Sequence, residues 1–197
     1  MTFSTFCVCL NQLEQASGRN AMIDILAGLI KDLHTDELEE AMYLLQGRIA
    51  PLFMPVEFQL SGKSLIKALH TIDDSVETQA KETGDIGLAA EAVAGSRQGA
   101  GLKILDVFRK LQEIAAISGA NSQAGKQAAF LSLFAQLSGL EARYVCRIII
   151  GKLRLGVSEK SVLDALSIVL TGDKSCGRRS STHSGYGLTS VLLHPCC

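Results

Sequence analysis

Apolar residues recur at three- and four-residue intervals along most of the chain, the spacing that places them on one face of an α-helix. The pattern is continuous over residues 9–33 and returns over residues 102–117, 123–137 and 140–153. A further stripe ends at Leu170. Because no stretch alternates steadily between apolar and polar positions, the pattern predicts an all-α fold with about 8–10 helices.

Polar residues and glycines between these stripes predict where helices begin and end. Thr35 is expected to cap the helix that follows it, and Ser61 or Ser64 to start another, because their hydroxyls accept hydrogen bonds from free helical amides. Gly84 is expected to close a short polar helix, since glycine readily adopts the left-handed conformation of a helix end. Ser158 is expected to cap the last helix.

Two changes in composition divide the chain. The glycine-rich stretch "AGSRQGAG" at 94–101 is expected to be a loop between two halves. From residue 171 onwards the helical spacing is lost and Ser, Gly and Cys become frequent. The sequence therefore predicts one helical domain over residues 1–170, followed by an irregular tail over 171–197 that is disordered or loosely attached.

Charge is distributed unevenly along the 197 residues, although the net charge is only −1. Residues 10–91 carry 6 Lys/Arg and 14 Asp/Glu, a net charge of −8. Residues 97–160 carry 10 Lys/Arg and 4 Asp/Glu, a net charge of +6. Such asymmetry favours a basic face for a polyanion, while ordinary solvated helix faces are the alternative.

Several classes of protein and site are not indicated. No apolar run approaches the roughly 18 residues of a membrane span, and no basic segment precedes the apolar residues at the N-terminus as in a secretory signal. The six cysteines form no CxxC pair and no ligand spacing with the histidines, so we expect reduced intracellular thiols and no metal site.

"SGKS" at 61–64 looks like the end of a phosphate-binding loop, but the glycine that such a loop needs is replaced by Glu57. A helix N-terminus is the better interpretation of this stretch. The four histidines have no matching nucleophile, so no catalytic residue is predicted.

Three segments combine glycine with positive charge. In "ASGRN" at 16–20, Arg19 follows a glycine within the first helix. In "SGANSQAGKQ" at 118–127, Gly119 can close one helix and Ser122 can cap the next, which would place Lys126 one turn inside it. Free amides at such a helix start favour an anion.

The third segment lies within "RIIIGKLRLGVSEKSVLDAL" at 147–166. Gly151 and Gly156 would let a phosphodiester approach the main chain, while Lys152 and Arg154 would supply charge. Each segment alone could be an ordinary turn, which is what glycine between helices most often marks. Their combination in or near the basic half favours a phosphate-binding surface.

Four stretches together resemble the N-terminal DNA-binding domain of ATP-dependent DNA ligases of the archaeal and eukaryotic replicative type. They are "LEQASGRNAMIDILAGLI", "GDIGLAAEAV" at 84–93, "GANSQAGKQAAFLSLF" and "EARYVCRIIIGKLRLGVSEKSVLDALS" at 141–167. The last is the longest and most specific. The resemblance extends from about residue 3 to residue 170, in the order that the family has.

The resemblance implies a compact helical module with pseudo-symmetric halves that grips duplex DNA through its minor groove and backbone on either side of a nick. It also implies a monomer that works with an adenylation domain and an OB-fold domain in replication, repair and recombination. The location would be cytoplasmic in a prokaryote or nuclear in a eukaryote. The residues that match the family's DNA-contacting loops are Arg19, Gly119, Ser122, Gln123, Lys126, Gly151, Lys152, Arg154 and Gly156.

The chain departs from the family after Leu170. The family's adenylated lysine lies in a Lys-x-Asp-Gly motif, whereas "KETG" at 81–84 and "KSCG" at 174–177 lack the aspartate. We therefore expect no cofactor in this chain, with ATP and Mg²⁺ belonging to the full-length enzyme, and no ligation by this chain alone. A truncated chain or a shifted reading frame near residue 171 would explain the change. The alternative function is a stand-alone helical protein-interaction module.

Overall fold

A computed structural model describes residues 1–51, 53, 54 and 56–171, and it confirms the all-α prediction. The tail predicted for 171–197 lies outside these residues except for Thr171, which ends the last helix. The described part contains ten helices and no strand. The helices are α1 (Phe3–Gln15), α2 (Arg19–Asp32), α3 (Leu38–Leu45), α4 (Gly62–Leu69), α5 (Val76–Thr83), α6 (Ile86–Ala94), α7 (Ile104–Ala116), α8 (Ser122–Phe134), α9 (Gly139–Ile149) and α10 (Glu159–Thr171).

The prediction of one helix over residues 9–33 is wrong, because two helices occupy this part of the chain. Ala16 leaves the helical conformation with φ −67° and ψ 122°, and Gly18 has φ 113°. Such a positive φ is accessible to glycine at little cost but not to residues with a Cβ. Arg19 is consequently the first residue of α2 rather than a residue inside a longer helix.

Most predicted helix ends agree with the structure. The Ser61 side chain caps α4, Ser158 accepts a hydrogen bond from the Ser161 amide at 3.2 Å, and Gly84 closes α5 in the left-handed conformation. The cap predicted at Thr35 is wrong, because α3 begins only at Leu38 and no side chain caps it.

The most extensive helix contact joins α6 and α9. Two glycines allow their backbones to approach closely: a Cβ on Gly87 would lie 2.8 Å from the Arg143 carbonyl oxygen, and one on Gly139 would lie 3.0 Å from the Gly95 carbonyl oxygen. Almost every residue of α9 is buried as a result. The family-like stretches at 84–93 and 141–167 therefore meet in the centre of the domain.

The remaining helices surround this pair. α10 packs on α2, α4 contacts α5, α6 and α8, and α7 packs between α3 and α8. The loop that connects α9 to α10 consequently runs from the central pair to the α2–α10 pair. The loop with Gly151, Lys152, Arg154 and Gly156 therefore lies between these two helix pairs.

Candidate nucleic-acid interface

The loop between α9 and α10 alternates between buried and exposed residues. Leu153 and Leu155 insert into the core and are 7% and 5% exposed, while Lys152, Arg154 and Gly156 face solvent. The apolar side chains thus fix the loop on the domain, and their neighbours present the charge. No carboxylate of the described residues lies within 4.0 Å of the Lys152 ammonium.

The first turn of this loop closes α9 with a Schellman motif. Gly151 has φ 65°, its amide donates to the Ile148 carbonyl at 3.0 Å, and the Lys152 amide donates to the Arg147 carbonyl at 2.8 Å. This geometry needs a left-handed residue, which explains a glycine here. These two amides are therefore already engaged by carbonyls of α9.

The second half of the loop keeps an unusual backbone. Arg154 has φ 55° and Gly156 has φ 66°. A left-handed conformation costs a residue with a Cβ about 1–2 kcal/mol, so Arg154 holds it against a local penalty. Among the described residues, no group accepts a hydrogen bond from the amides of Arg154 or Gly156.

A buried ion cluster supports the loop from beneath. Arg147 donates from Nη2 to Asp85 at 2.8 Å and from Nη1 to Glu14 at 2.7 Å, and Arg154 Nη1 lies 3.5 Å from Asp85 Oδ2. Asp85 also caps α6 by accepting from the Gly87 amide at 2.7 Å. Arg147 is therefore a structural cation, 3% exposed, and not part of the solvent-facing set.

The cluster holds its carboxylates ionised. Burial by itself would raise the pKa of Asp85 and of Glu14, but hydrogen bonds from Arg147 and its positive charge more than offset this, so both pKa values lie below their usual range. Burial would lower the pKa of Arg147, yet its two carboxylate partners raise it. The cluster is thus charged throughout the neutral pH range.

Arg19 lies next to this loop. A Cβ on Gly156 would lie 3.5 Å from Met22 Cε, one turn along α2 from Arg19. Arg19 Nη2 binds Asp164 Oδ2 of α10 at 2.7 Å, and its side chain remains 48% exposed. No side chain caps the start of α2 at Gly18. The structure therefore brings two of the three predicted segments together.

The third predicted segment, residues 118–127, includes the loop before α8 and the first turns of that helix. Its helix cap differs from the prediction. Ser122 is not the cap; Asn121 occupies that position with φ 66°, and Ser122 is the first helical residue. The Ser122 amide donates to the Gly119 carbonyl at 3.2 Å, and Gln123 Nε2 donates to the Gln59 carbonyl at 2.9 Å. This segment is thus tied to the chain that precedes α4.

Lys126 does not present its charge to solvent. It is 1% exposed, and its ammonium donates to the Phe58 carbonyl at 2.8 Å and lies 3.5 Å from Gln59 Oε1. The spacing within α8 indicated a cation near a helix start, but could not reveal that residues 58 and 59 cover it. Its role in this structure is to hold the segment before α4 onto α8.

A cavity of about 900 Å³ lies between the α9–α10 loop and the segment before α4. Gly151 and Lys152 line one side of it, and Phe58, Gln59 and the capped start of α4 line the other. Arg48 also contributes, with no carboxylate of the described residues within 4.0 Å of its guanidinium. Sequence reasoning missed Arg48 because it lies in the acidic half and outside any glycine-rich segment.

The described residues contain neither a membrane span nor a cluster of metal ligands. No helix there is long and apolar enough to cross a membrane, and no three metal-ligating side chains come together. The candidate site therefore consists of a basic loop, a neighbouring helix start with an exposed arginine, and a cavity whose wall includes Arg48, Lys152 and Glu57.

Comparison with known proteins decides the family. The model of the DNA ligase N terminus matches residues 2–167, which is most of the chain. This chain belongs to the DNA ligase N-terminus family. The match includes Arg19, the α8 start and the α9–α10 loop, so all three predicted segments lie within the family domain.

Complete ligases from several organisms are similar to this chain. A probable DNA ligase of Dictyoglomus turgidum is 35% identical over 98% of the chain and 33% of its own length. A probable DNA ligase of Persephonella marina is 34% identical over 91% and 32%, and a DNA ligase of Pyrobaculum arsenaticum is 32% identical over 85% and 31%. The chain spans about a third of the length of the curated relatives it matches.

Proposed function

We propose that this chain binds nicked duplex DNA, without sequence preference, as the N-terminal module of an ATP-dependent DNA ligase acting in replication, repair and recombination. The observation that carries the proposal is the α9–α10 loop, which exposes Lys152 and Arg154 while two buried leucines hold it in place. Membership of the DNA ligase N-terminus family supplies the polyanion that these cations would meet.

The chemistry of the loop suits a phosphate backbone. Lys152 acts as a point charge, and Arg154 can place two donors on one phosphate. The amides of Arg154 and Gly156 donate to no group among the described residues, and would add neutral donors in the same loop. None of these groups distinguishes one base pair from another, because phosphate contacts position a protein on DNA without reading its sequence.

Arg19 and the start of α8 extend this proposal. Arg19 lies beside the loop, and its 48% exposed side chain can reach a second phosphate. Gly119, Ser122 and Gln123 lie at or just before the start of α8, where Gln123 is exposed and bonds Gln59, a residue of the cavity wall. Lys126 would contribute through the placement of this segment, since its ammonium is buried.

ATP and Mg²⁺ belong to the adenylation chemistry of a complete ligase in this proposal, and the described residues take no step in that chemistry. The module would hold the duplex as a monomer inside the cell, where the DNA is. This chain would bind a nick without sealing it.

Fluorescence anisotropy of a labelled nicked duplex, titrated with this chain at about 50 and 200 mM salt, tests the proposal. The matched variants are Lys152→Ala and Arg154→Asn, because asparagine tolerates the left-handed backbone at position 154. Lys31→Ala is the control, since it removes an exposed cation from the opposite end of α2. A 14-residue helix is about 20 Å long, which keeps Lys31 away from Arg19.

We expect binding that weakens with salt and has the same affinity for two nicked duplexes of unrelated sequence. Each loop variant should weaken binding on both sequences and make the log–log salt slope shallower by about one, whereas Lys31→Ala should change neither. Wild-type affinity in the Lys152→Ala, Arg154→Asn double variant would remove the loop from the interface. Binding that depends on sequence would contradict the phosphate mechanism.

A protein-interaction module is the second candidate, and one observation favours it. Phe53, Met54 and Val56 are 82%, 50% and 44% exposed in the segment between α3 and α4. Exposed apolar residues close together indicate a contact surface for a protein. A partner held there would bind with little dependence on salt, so the same two salt concentrations separate this function from duplex binding.

A further inference from the structure

The Asp85 carboxylate caps α6 and also faces Arg154, a cation of the α9–α10 loop. Its Oδ2 lies 2.8 Å from Arg147 Nη2 and 3.5 Å from Arg154 Nη1, and its Oδ1 accepts the Gly87 amide at 2.7 Å. The side chain is 5% exposed. Two fixed contacts therefore hold the carboxylate while it faces the exposed Arg154.

We infer that Asp85 is a positioning residue for duplex binding, and that it orders the Arg154 guanidinium for contact with a phosphate. This inference rests on the proposed function and adds a residue that no DNA atom would need to touch. Asp85 acts through Arg154, whose side chain is 55% exposed.

The geometry explains why an anion here can assist the binding of another anion. A 3.5 Å approach by one nitrogen leaves the other guanidinium donors of Arg154 available. Arg147 and the Gly87 amide already offset part of the charge of Asp85. Ordering a long side chain before binding removes an entropic cost that would otherwise reduce affinity.

Arg154 needs such support more than an ordinary surface arginine does. Its backbone is left-handed, with φ 55°, which points the side chain away from the path that a helical or extended residue would give. Leu153 and Leu155 fix the loop on both sides of it. Among the described residues, Asp85 provides the one carboxylate within 4.0 Å of the Arg154 guanidinium.

Asp85→Asn tests the inference, because the inference and the change in net charge predict opposite changes in DNA affinity. Asparagine can still cap α6, but it loses the charge that holds Arg154. Removing an anion beside a DNA surface should strengthen binding on electrostatic grounds alone. We expect instead that nicked-duplex affinity falls roughly three- to tenfold at low salt, the effect of leaving one long side chain unordered.

Glu14→Gln is the matched control, because Glu14 binds the same buried Arg147 at 2.7 Å and makes no contact with Arg154. Both variants should lower the melting temperature, and only Asp85→Asn should lower affinity. Titrations are carried out well below either melting temperature, so that both proteins are folded. Equal affinity losses in the two variants would reduce Asp85 to a structural role and overturn the inference.

A double-variant comparison with Arg154→Asn completes the test. The effect of Asp85→Asn on affinity should disappear when Arg154 is already absent. An unchanged effect in that background, or tighter binding by Asp85→Asn, would also overturn the inference. If Arg154→Asn alone leaves affinity unchanged, Arg154 does not contact the duplex. That result contradicts the proposed function of the loop, and it differs from every result that contradicts only the role of Asp85.

Discussion

The Lys126 ammonium lies 2.8 Å from the carbonyl oxygen of Phe58, and this contact joins α8 to the segment before α4. Lys126 and Lys152 both lie near a glycine in the basic half of the sequence, yet one is 1% exposed and the other faces solvent. The difference divides the predicted cations into one that supports the domain and one that is available to a ligand.

Lys126→Met should lower stability more than it lowers duplex affinity. Methionine fills a similar volume, but it leaves the buried Phe58 carbonyl without its donor, which costs about 1–3 kcal/mol in the free energy of unfolding. Urea unfolding measures the change. Lys152→Ala, at an exposed position, should stay within about 0.5 kcal/mol of the wild type. A larger stability loss in Lys152→Ala than in Lys126→Met would contradict this division.

Gly87→Ala should destabilise the contact between α6 and α9. The new Cβ would lie 2.8 Å from the Arg143 carbonyl oxygen and 2.9 Å from Arg147 Cγ, so the helices must move apart. We expect a loss of about 1–3 kcal/mol in thermal or urea unfolding. Gly28→Ala in α2 is the control: a Cβ there meets nothing within 4 Å, and alanine should stabilise that helix by about 0.5–1 kcal/mol. Equal effects of the two substitutions would refute the packing argument.

Arg147→Met should be among the most damaging single changes in this domain. It leaves Asp85, 5% exposed, and Glu14, 28% exposed, without their main cation. Removing one partner of a buried ion pair costs about 3–5 kcal/mol because the remaining charge is uncompensated. Lys81→Met provides the comparison, since its ion pair with Glu77 is exposed and is worth at most about 1 kcal/mol. Urea midpoints that fall equally in both variants would show that the cluster is dispensable.

Stability should decrease in acid through the same cluster. Burial opposes ionisation of Glu14 and Asp85, but Arg147 holds the pKa of each below its usual range. Between the folded pKa and an unfolded pKa of about 4, the unfolded chain binds more protons, so the free energy of unfolding rises with pH. The contribution is complete above that interval and is lost as the pH falls through the folded pKa.

Urea midpoints measured from about pH 6 down to about pH 3 test this dependence. Arg147→Met should show a shallower decline than the wild type, because its carboxylates no longer have depressed pKa values. Parallel curves for the two proteins would mean that other carboxylates carry the acid sensitivity.

Much of the fold could be predicted from local pattern. The helical spacing predicted α7, α8 and α9 to within a few residues at each end, and glycine and serine marked the ends of α4 and α5. These features depend on residues within one or two turns of each other. The break between α1 and α2 was missed because the apolar spacing continues through Gly18, where φ is 113°.

The sequence by itself determined the helical class, the family and the loop that carries Lys152 and Arg154, because periodicity and contiguous motifs are local properties. Only the tertiary structure decided which cations are exposed. Lys126 is covered by Phe58, 68 residues earlier, and Arg147 is neutralised by Asp85, 62 residues earlier. Burial and ion pairing depend on which helices pack together, and residues close in sequence do not reveal which distant residues will become partners.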